Sequence, residues 1–176
     1  FDTVALNVQS RTLVVSAGLE AWGGYPGAKN AAPRIVVSVP AIRSASVQGG
    51  ARLTIDKAVG QKVTLQLLGA GSIGVAAVRA DDLDAGIVGS GAITIGGTAR
   101  RARFVANGAG SIDAGGAAID ALTLDWQSVG AAKATVRYTA EVYARGQGPV
   151  EILGSAACKI SGAGPVSCGN IAKRRN

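Results

Sequence analysis

Short runs of alternating apolar and polar residues recur along the middle of this chain, and glycine-rich turns separate them. The phrase GSGAITIGG (89–97) returns as GAGSIDAGG (108–116), and each phrase places an isoleucine four residues after its first glycine. The same offset separates Ile73 from Gly69. Because successive side chains of a strand point to opposite faces, an alternation with period two predicts half-buried β-strands.

The glycine-rich turns themselves recur at a nearly constant interval. They begin at positions 69, 89, 108, 128, 146 and 162, so the intervals are 20, 19, 20, 18 and 16 residues. Such a period in a glycine-rich, β-branched sequence is typical of solenoids, whose coils bury an apolar face only when they stack. We therefore predict an all-β protein, a parallel β-helix (β-solenoid) with roughly seven coils of about 20 residues. A β-sandwich would also contain many short strands, but it would not require one residue type at one offset in successive units.

Stacked coils lie about 4.8 Å apart, so residues at the same distance from the turn of their own coil should lie next to one another. This predicts two rows of side chains. The residues four positions after each turn should form an internal aliphatic ladder of Ile73, Ile93 and Ile112. The residues 12 positions after each turn should form an exposed ladder of alternating charge, made of Asp81, Arg101 and Asp120. Opposite charges on neighbouring strands stabilise a sheet modestly.

The whole chain is expected to form a single domain, because its 176 residues are enough for one domain with a substantial core. Its expected parts are irregular N-terminal capping coils, the repeat coils and a basic tail, at residues 1–47, 48–168 and 169–176. Within the first part, the pattern predicts a hairpin or first coil at 3–18, an irregular loop at 21–33 and a strand at 33–42. Helices longer than a turn or two are not expected, since glycine occurs every few residues.

The composition limits the core and the compartment. Hydrophobic residues make up 48% of the chain but aromatic residues only 4%, so the core must consist of Ala, Val, Ile and Leu. No run of about 18 apolar residues is present that could span a membrane. The chain also does not open with the charged and apolar segments of a signal peptide, which leaves a cytoplasmic protein or a mature exported form.

The net charge of +7 bears on the choice of partner. Basic residues cluster at 100–103 and 173–175, and Phe104 is the only aromatic residue beside either cluster. Nucleic-acid binding normally combines a basic stripe with stacking aromatic residues or a known module, so we do not expect a nucleic-acid partner. A basic surface remains suited to anionic polysaccharide or lipid headgroups.

Three neighbouring carboxylates, Asp81, Asp82 and Asp84, form a candidate weak cation site. The alternative is that they belong to the ladder of alternating charge described above. The calcium-binding β-roll places an aspartate at the same position of every repeat, and this chain lacks such a row. The sequence therefore predicts no metal site with a recognisable ligand set.

The two cysteines, Cys158 and Cys168, have nine residues between them in CKISGAGPVSC. This spacing fits no common metal or redox motif, and the chain has no histidine that could complete a zinc site. We predict a disulfide across a turn, which would contribute about 2–3 kcal/mol and would favour an oxidising compartment. The alternative is a pair of buried free thiols.

Catalysis is not expected from these residues. Without histidine, a Ser-His-Asp or Cys-His arrangement is impossible, and Asp113 and Asp125 have no acidic neighbour at the same offset in the adjacent coils. The glycine turns lead into strands rather than helix N-termini, so they do not predict a phosphate or cofactor site. A strip of aromatic residues could contact carbohydrate, or could instead close the tapering core: Trp126, Tyr138 and Tyr143.

The GSGxIxI units, the opening FDTVALNV and the closing GPVEILGSAACKISGAGPVSC together resemble the GIN-domain family of bacterial autotransporter adhesin heads. The resemblance covers essentially the whole chain. It implies a right-handed β-helix, export to the periplasm or cell surface, and no established activity. The family's phrase is commonly Gly-Ser-Gly-Asp, whereas this chain keeps the serine only at Ser90 and has the aspartate in no unit. Any role of that aspartate is therefore not carried over.

We accordingly expect an extracytoplasmic, non-catalytic module of the cell envelope that takes part in adhesion, without a cofactor. Its partner would be a carbohydrate or a surface protein. The alternative function is that of a polysaccharide-binding or polysaccharide-processing β-helix, which clustered carboxylates along a groove would favour. The repetitive flat sides also suggest assembly into a homo-oligomer.

Overall fold

The computed structural model describes residues 4–17 and 34–169 of the chain and divides it into two compact units, Phe1–Ser38 and Val39–Asn176. In the first unit, β1 (Val4–Gln9) and β2 (Thr12–Ala17) pair antiparallel as a hairpin. The two turn residues, Ser10 and Arg11, have φ of 47° and 69°. Two left-handed residues in a two-residue turn match the twist of the paired strands.

The second unit is a β-solenoid of about six turns, slightly fewer than the seven expected. Within residues 39–169, its nine strands pair in parallel throughout and follow the coil order. Their bounds are β3 Ser44–Gln48, β4 Arg52–Gly69, β5 Ser72–Gly89, β6 Ala92–Gly108, β7 Ser111–Ser128, β8 Ala132–Ala144, β9 Val150–Gly154, β10 Ala157–Ser161 and β11 Val166–Cys168. The predicted all-β, parallel solenoid class is confirmed, and the right hand implied by the family resemblance stays a prediction.

The core is a set of aliphatic rows that run along the solenoid axis. The register places Ile73 opposite Ile93 and Ile93 opposite Ile112, and each is 1% exposed. The predicted aliphatic ladder is therefore present inside the solenoid. Burying an aliphatic side chain contributes about 1.5–3 kcal/mol relative to leaving it exposed, so stacked coils bury what one coil would leave in water.

Each regular coil has three sides, which we define on β5. The inward and outward alternation of its side chains is interrupted by two or more consecutive outward residues at 76–77, 81–82 and 88–90. We call Ser72–Val75 the first side, Val78–Ala80 the second side and Asp82–Val88 the third side. Each name also covers the residues of the other coils that pair with that segment. Each interruption is a corner, because the chain must turn there to keep the next side's apolar residues inside.

Glycine is required at the turn between the third side and the next coil. Gly89 has φ of +125°, and a Cβ atom built on it would lie 2.5 Å from the carbonyl oxygen of Gly69 in the preceding coil. A side chain at this position would therefore push neighbouring coils apart. The repeated glycines turn the chain and permit close backbone approach, as the sequence predicts.

One segment that the sequence predicts near the N-terminus differs in the structure, and two other predicted segments lie outside the described residues. The strand predicted at 33–42 is wrong, because residues 34–41 form no strand and only Ile42 makes an isolated parallel bridge, to Ala58. The predicted loop at 21–33 and residues 170–176 of the predicted basic tail lie outside the described residues. The division at 47 and 168 within a single domain stays a prediction.

The last coil is shorter than the others and is closed covalently. Cys158 lies on β10, which pairs with β8, and Cys168 lies on β11, which pairs with β9. The two cysteines form the predicted disulfide, with Cα atoms 6.6 Å apart. Among the described residues, no helix has the length and hydropathy needed to cross a membrane.

Candidate functional site

Ionic side chains concentrate where the second side of the solenoid meets the third. We call this band the charged edge and define it by thirteen residues: Arg43, Lys62, Arg79, Asp81, Asp82, Asp84, Arg100, Arg101, Arg103, Asp120, Arg137, Glu141 and Lys159. Most of them lie at the 81–82 corner or within two residues of it in register. Stacking of equivalent corners brings them together, since adjacent coils are about 4.8 Å apart.

The predicted charge ladder exists, but its middle member is wrong. Arg101 lies opposite Asp82 in β5, not opposite Asp81, and opposite Ala121 in β7, not opposite Asp120. The reason is that β6 has one residue between Ile95 and Gly97 where β5 has two between the equivalent positions. The missing residue shifts every later offset of that coil by one.

The row that does form alternates strictly in charge over four coils. Arg100 Nε lies 3.3 Å from Asp81 Oδ1, and Arg137 Nη1 lies 3.4 Å from Asp120 Oδ1. Arg100 also stands opposite Asp120, since the residues on either side of it pair with the neighbours of that aspartate. Sequence reasoning missed Arg100 and Arg137, although the interval of 19 residues between two turns signalled a missing residue.

A second, shorter row runs beside the first. Arg101 donates two hydrogen bonds to the carboxylate of Asp82, at 2.7 and 3.0 Å, and Lys62 Nζ lies 2.7 Å from Asp84 Oδ2. Together with the Asp81 pair, these contacts occupy all three carboxylates of the candidate cation site. Within residues 4–17 and 34–169, no group of three or more metal-ligating side chains is found.

Within the shorter row, the pKa of Asp82 is lowered and the pKa of Lys62 is raised. The hydrogen bond from Arg101 holds the pKa of Asp82 below its usual value, against the opposing effect of desolvation. The hydrogen bond to Asp84 raises the pKa of Lys62. All of these groups face solvent, where ion pairs are screened and contribute little to stability.

A shallow groove runs along the second side next to the charged edge. Its lining includes one residue from each of five successive coils: Val59, Arg79, Thr98, Ala118 and Arg137. With coils about 4.8 Å apart, the groove extends roughly 19 Å along the axis. The groove has the form of a track for an extended chain rather than of a pocket for a small molecule.

The charged edge accounts for the net charge of the described part of the solenoid, residues 39–169. It holds eight basic and five acidic residues, as its definition shows. The other basic and acidic residues described at 39–169 balance each other: Arg52, Lys57, Lys133 and Arg145 against Asp56, Asp113, Asp125 and Glu151. The excess of positive charge in this part of the protein is therefore confined to one edge.

The predicted aromatic strip is not formed. Trp126 is fully buried, and its Nε1 donates a hydrogen bond of 3.2 Å to the carbonyl oxygen of Gly130. It lies between Ala106 and Ala144 of the adjacent coils, whose small side chains leave room for the indole. Tyr138 is 66% exposed and Tyr143 is half-buried, so these two remain accessible while Trp126 belongs to the core.

The comparison with protein families agrees with this architecture. The sequence profile described as "Putative auto-transporter adhesin, head GIN domain" matches residues 1–156. The chain belongs to the GIN-domain family. The resemblance carried by the glycine phrases and the opening segment is thereby confirmed, and the family is described as an adhesin head.

A solved structure supports the fold of this GIN domain. The crystal structure of a putative adhesin from Bacteroides fragilis has a TM-score of 0.72 and 19% sequence identity, and the match covers 93% of this chain and 75% of that one. At this identity the likeness shows the fold alone. None of the curated proteins matches the chain.

Proposed function

We propose that this GIN domain is a non-catalytic adhesion module that works outside the cytoplasm. The observation that carries the proposal is the match of residues 1–156 to a family described as an adhesin head. The fold is compatible with such a role, because a stack of rigid coils presents surface side chains at fixed spacing over a long distance.

Two observations support export. The disulfide between Cys158 and Cys168 closes the last coil, and disulfides persist mainly in oxidising compartments. The family description also names an auto-transporter adhesin. We infer that the domain acts in the periplasm or at the cell surface.

A non-catalytic role is supported by the chemistry of the charged edge. The chain contains no histidine, and the five edge carboxylates each lie within 4.0 Å of a basic side chain. A general acid or base needs a pKa near the working pH, whereas the pKa of Asp82 is lowered away from neutrality.

An attachment assay tests the proposed function. Beads that carry the full chain, with its disulfide intact, are applied to arrayed glycans and extracellular matrix proteins. We expect retention on at least one class of surface, and loss of retention when the chain is unfolded before coupling. Absence of retention on every surface would contradict an adhesion role.

The alternative function, polysaccharide binding or processing, is favoured by the groove along the second side. Arginines from three coils line it: Arg79, Arg100 and Arg137. Binding and processing differ in one measurement, the release of new reducing ends from the polysaccharide. We expect none, and release that depends on Asp81 or Asp120 would replace the non-catalytic proposal with an enzymatic one.

A further inference from the structure

We propose that the charged edge and the groove beside it bind an anionic polysaccharide, one whose sugar residues carry carboxylate or sulfate groups. The polysaccharide would lie along the solenoid axis. This inference rests on the proposed adhesion function and names the class of ligand for it. It assigns a site to residues that the family description leaves without a role.

The first support is the distribution of charge. All of the net positive charge described at residues 39–169 lies on this edge, and the remaining surface is balanced. An anionic polymer is attracted to such a field from a distance and is oriented by it. A uniformly basic surface would attract a polyanion without favouring any edge. Because the net positive charge lies on one edge, a polyanion has a defined contact surface there.

The second support is the availability of cations. Within the described part of the solenoid, Arg79 and Arg103 are exposed and make no ion pair. They lie on adjacent coils on the two sides of the corner, one facing the groove and one on the third side. A guanidinium can bind carboxylate or sulfate with two parallel hydrogen bonds, and neither arginine must first give up a partner.

The third support is the paired arginines of the alternating row. Arg100 and Arg137 approach their aspartates to 3.3 and 3.4 Å, without the two short hydrogen bonds that join Arg101 to Asp82. This leaves further N–H donors of each guanidinium for a ligand. They belong to β6 and β8, two coils apart, and so stand roughly 10 Å apart along the axis. Anionic groups repeated along an extended polymer could meet both.

The interleaved carboxylates favour a polysaccharide over other polyanions. Asp81 and Asp120 line the groove between the arginines, and a carboxylate accepts hydrogen bonds but cannot donate them. A sugar chain supplies both anionic groups for the arginines and hydroxyl donors for the aspartates. Against a phosphate backbone that presents only acceptors, the same aspartates would be repulsive.

Other macromolecules fit the groove less well. Among the described residues no aromatic side chain lines the groove, and Tyr138, beside Arg137, is a single exposed ring at this edge. Single-stranded nucleic acid would therefore find no row of rings on which to stack successive bases. Peripheral membrane binding generally combines basic residues with a broad apolar face. The extent of the groove along five coils and the alternating charge instead suit one extended chain.

Calorimetric titration of the full, disulfide-bonded chain with polygalacturonate and heparin tests the proposal, with neutral dextran, duplex DNA and anionic phosphatidylglycerol vesicles as comparison ligands. We expect binding to the two anionic polysaccharides that weakens as salt increases, and none to dextran. Tighter binding to DNA or vesicles than to both polysaccharides would overturn the proposal, as would equal binding to dextran or no binding to either polysaccharide.

A pair of matched variants tests the site. The double substitution Arg79→Gln and Arg103→Gln removes two exposed, unpaired edge cations, and Arg52→Gln with Arg145→Gln removes two exposed, unpaired cations elsewhere. We expect the edge variant to lose about tenfold or more in affinity and its logarithmic salt slope to fall by about two. Equal losses in both variants would show attraction by net charge alone and would overturn the site. Unchanged circular dichroism verifies that both variants are folded.

The attachment assay separates failure of this inference from failure of the adhesion function. Beads with the original chain and beads with the edge variant could be retained equally well, on a neutral glycan or on a protein. That result would overturn the polyanion site while the adhesion function stands. Loss of retention in the edge variant alone, on surfaces that carry anionic polysaccharide, supports both.

Discussion

Two rows of side chains in the same coils have the same spacing but different consequences. The aliphatic ladder of Ile73, Ile93 and Ile112 is buried, with each residue 1% exposed. The alternating row of Asp81, Arg100, Asp120 and Arg137 has side chains that are 34% to 78% exposed. Solvent screens the exposed pairs to about 0–1 kcal/mol each, whereas buried aliphatic contacts contribute several times as much.

The difference shows how this solenoid separates stability from recognition. The inner rows hold the coils together and tolerate little change in volume. The outer rows can change in charge with little effect on stability, which leaves the charged edge open to selection for a ligand. Four predictions test this separation.

The largest effect is expected inside. Ile93→Ala should lower the free energy of unfolding by about 2–5 kcal/mol, because it removes a buried side chain from the middle of the ladder and leaves a cavity. Urea denaturation followed by circular dichroism measures this. Thr94→Ala, one residue away and exposed, should change stability by less than about 0.5 kcal/mol. Equal losses in the two variants would contradict the assignment of stability to the inner row.

The covalent closure of the last coil should rank second. Replacing Cys158 and Cys168 together by serine should lower stability by about 2–3 kcal/mol, since the disulfide no longer restricts the unfolded chain. Reducing agent should produce a similar loss in the original protein and none in the double variant. If reducing agent also lowers the stability of the double variant, the loss of stability does not come from this disulfide.

The glycine turns should rank next, because they maintain the spacing on which both rows depend. Gly89→Ala should lower stability by roughly 1–3 kcal/mol, as its Cβ atom would meet the carbonyl oxygen of Gly69 and its φ is positive. At Gly74 a Cβ atom would enter open space, so Gly74→Ala should change stability by no more than about 1 kcal/mol. Equal thermal unfolding of the two variants would show that the close approach of the coils is not required.

The smallest effect is expected on the charged edge and concerns pH. The pKa of Asp82 is lowered in the folded state by its hydrogen bond with Arg101, so the pair stabilises the fold above the ordinary aspartate pKa of about 3.9. That contribution should disappear as pH falls through the lowered pKa. Carboxyl NMR titration should give a midpoint below 3.9 for Asp82, and Arg101→Gln should raise it. An unchanged midpoint in that variant would show that another group lowers the pKa.

Several elements of the fold could be predicted from the sequence because they follow from local alternation repeated at a constant period. Ile73, Ile93 and Ile112 share an offset that precedes the shortened corner of β6, and so their register was correct. Arg101 comes after that corner, and its predicted partners were wrong by one residue. The number of residues between two turns shows that a coil is one residue short. It does not show at which corner of the coil the residue is missing.

The burial of Trp126 shows a second limit. Its position near the end of a strand was compatible with either the surface or the core, and the choice depends on Ala106 and Ala144 in the neighbouring coils. Those alanines lie 20 and 18 positions away in the chain. A pattern read along one strand does not contain the volume available between three stacked coils.

The sequence by itself determined the coil repeat, the inward aliphatic row and the pairing of the only two cysteines. These follow from periodic burial and from short-range covalent geometry, which a linear pattern records. The tertiary structure decided which charges face one another, that the excess positive charge of residues 39–169 lies on one edge, and that a groove lies beside it. These depend on the register between coils, and register is set by how all of the coils pack together.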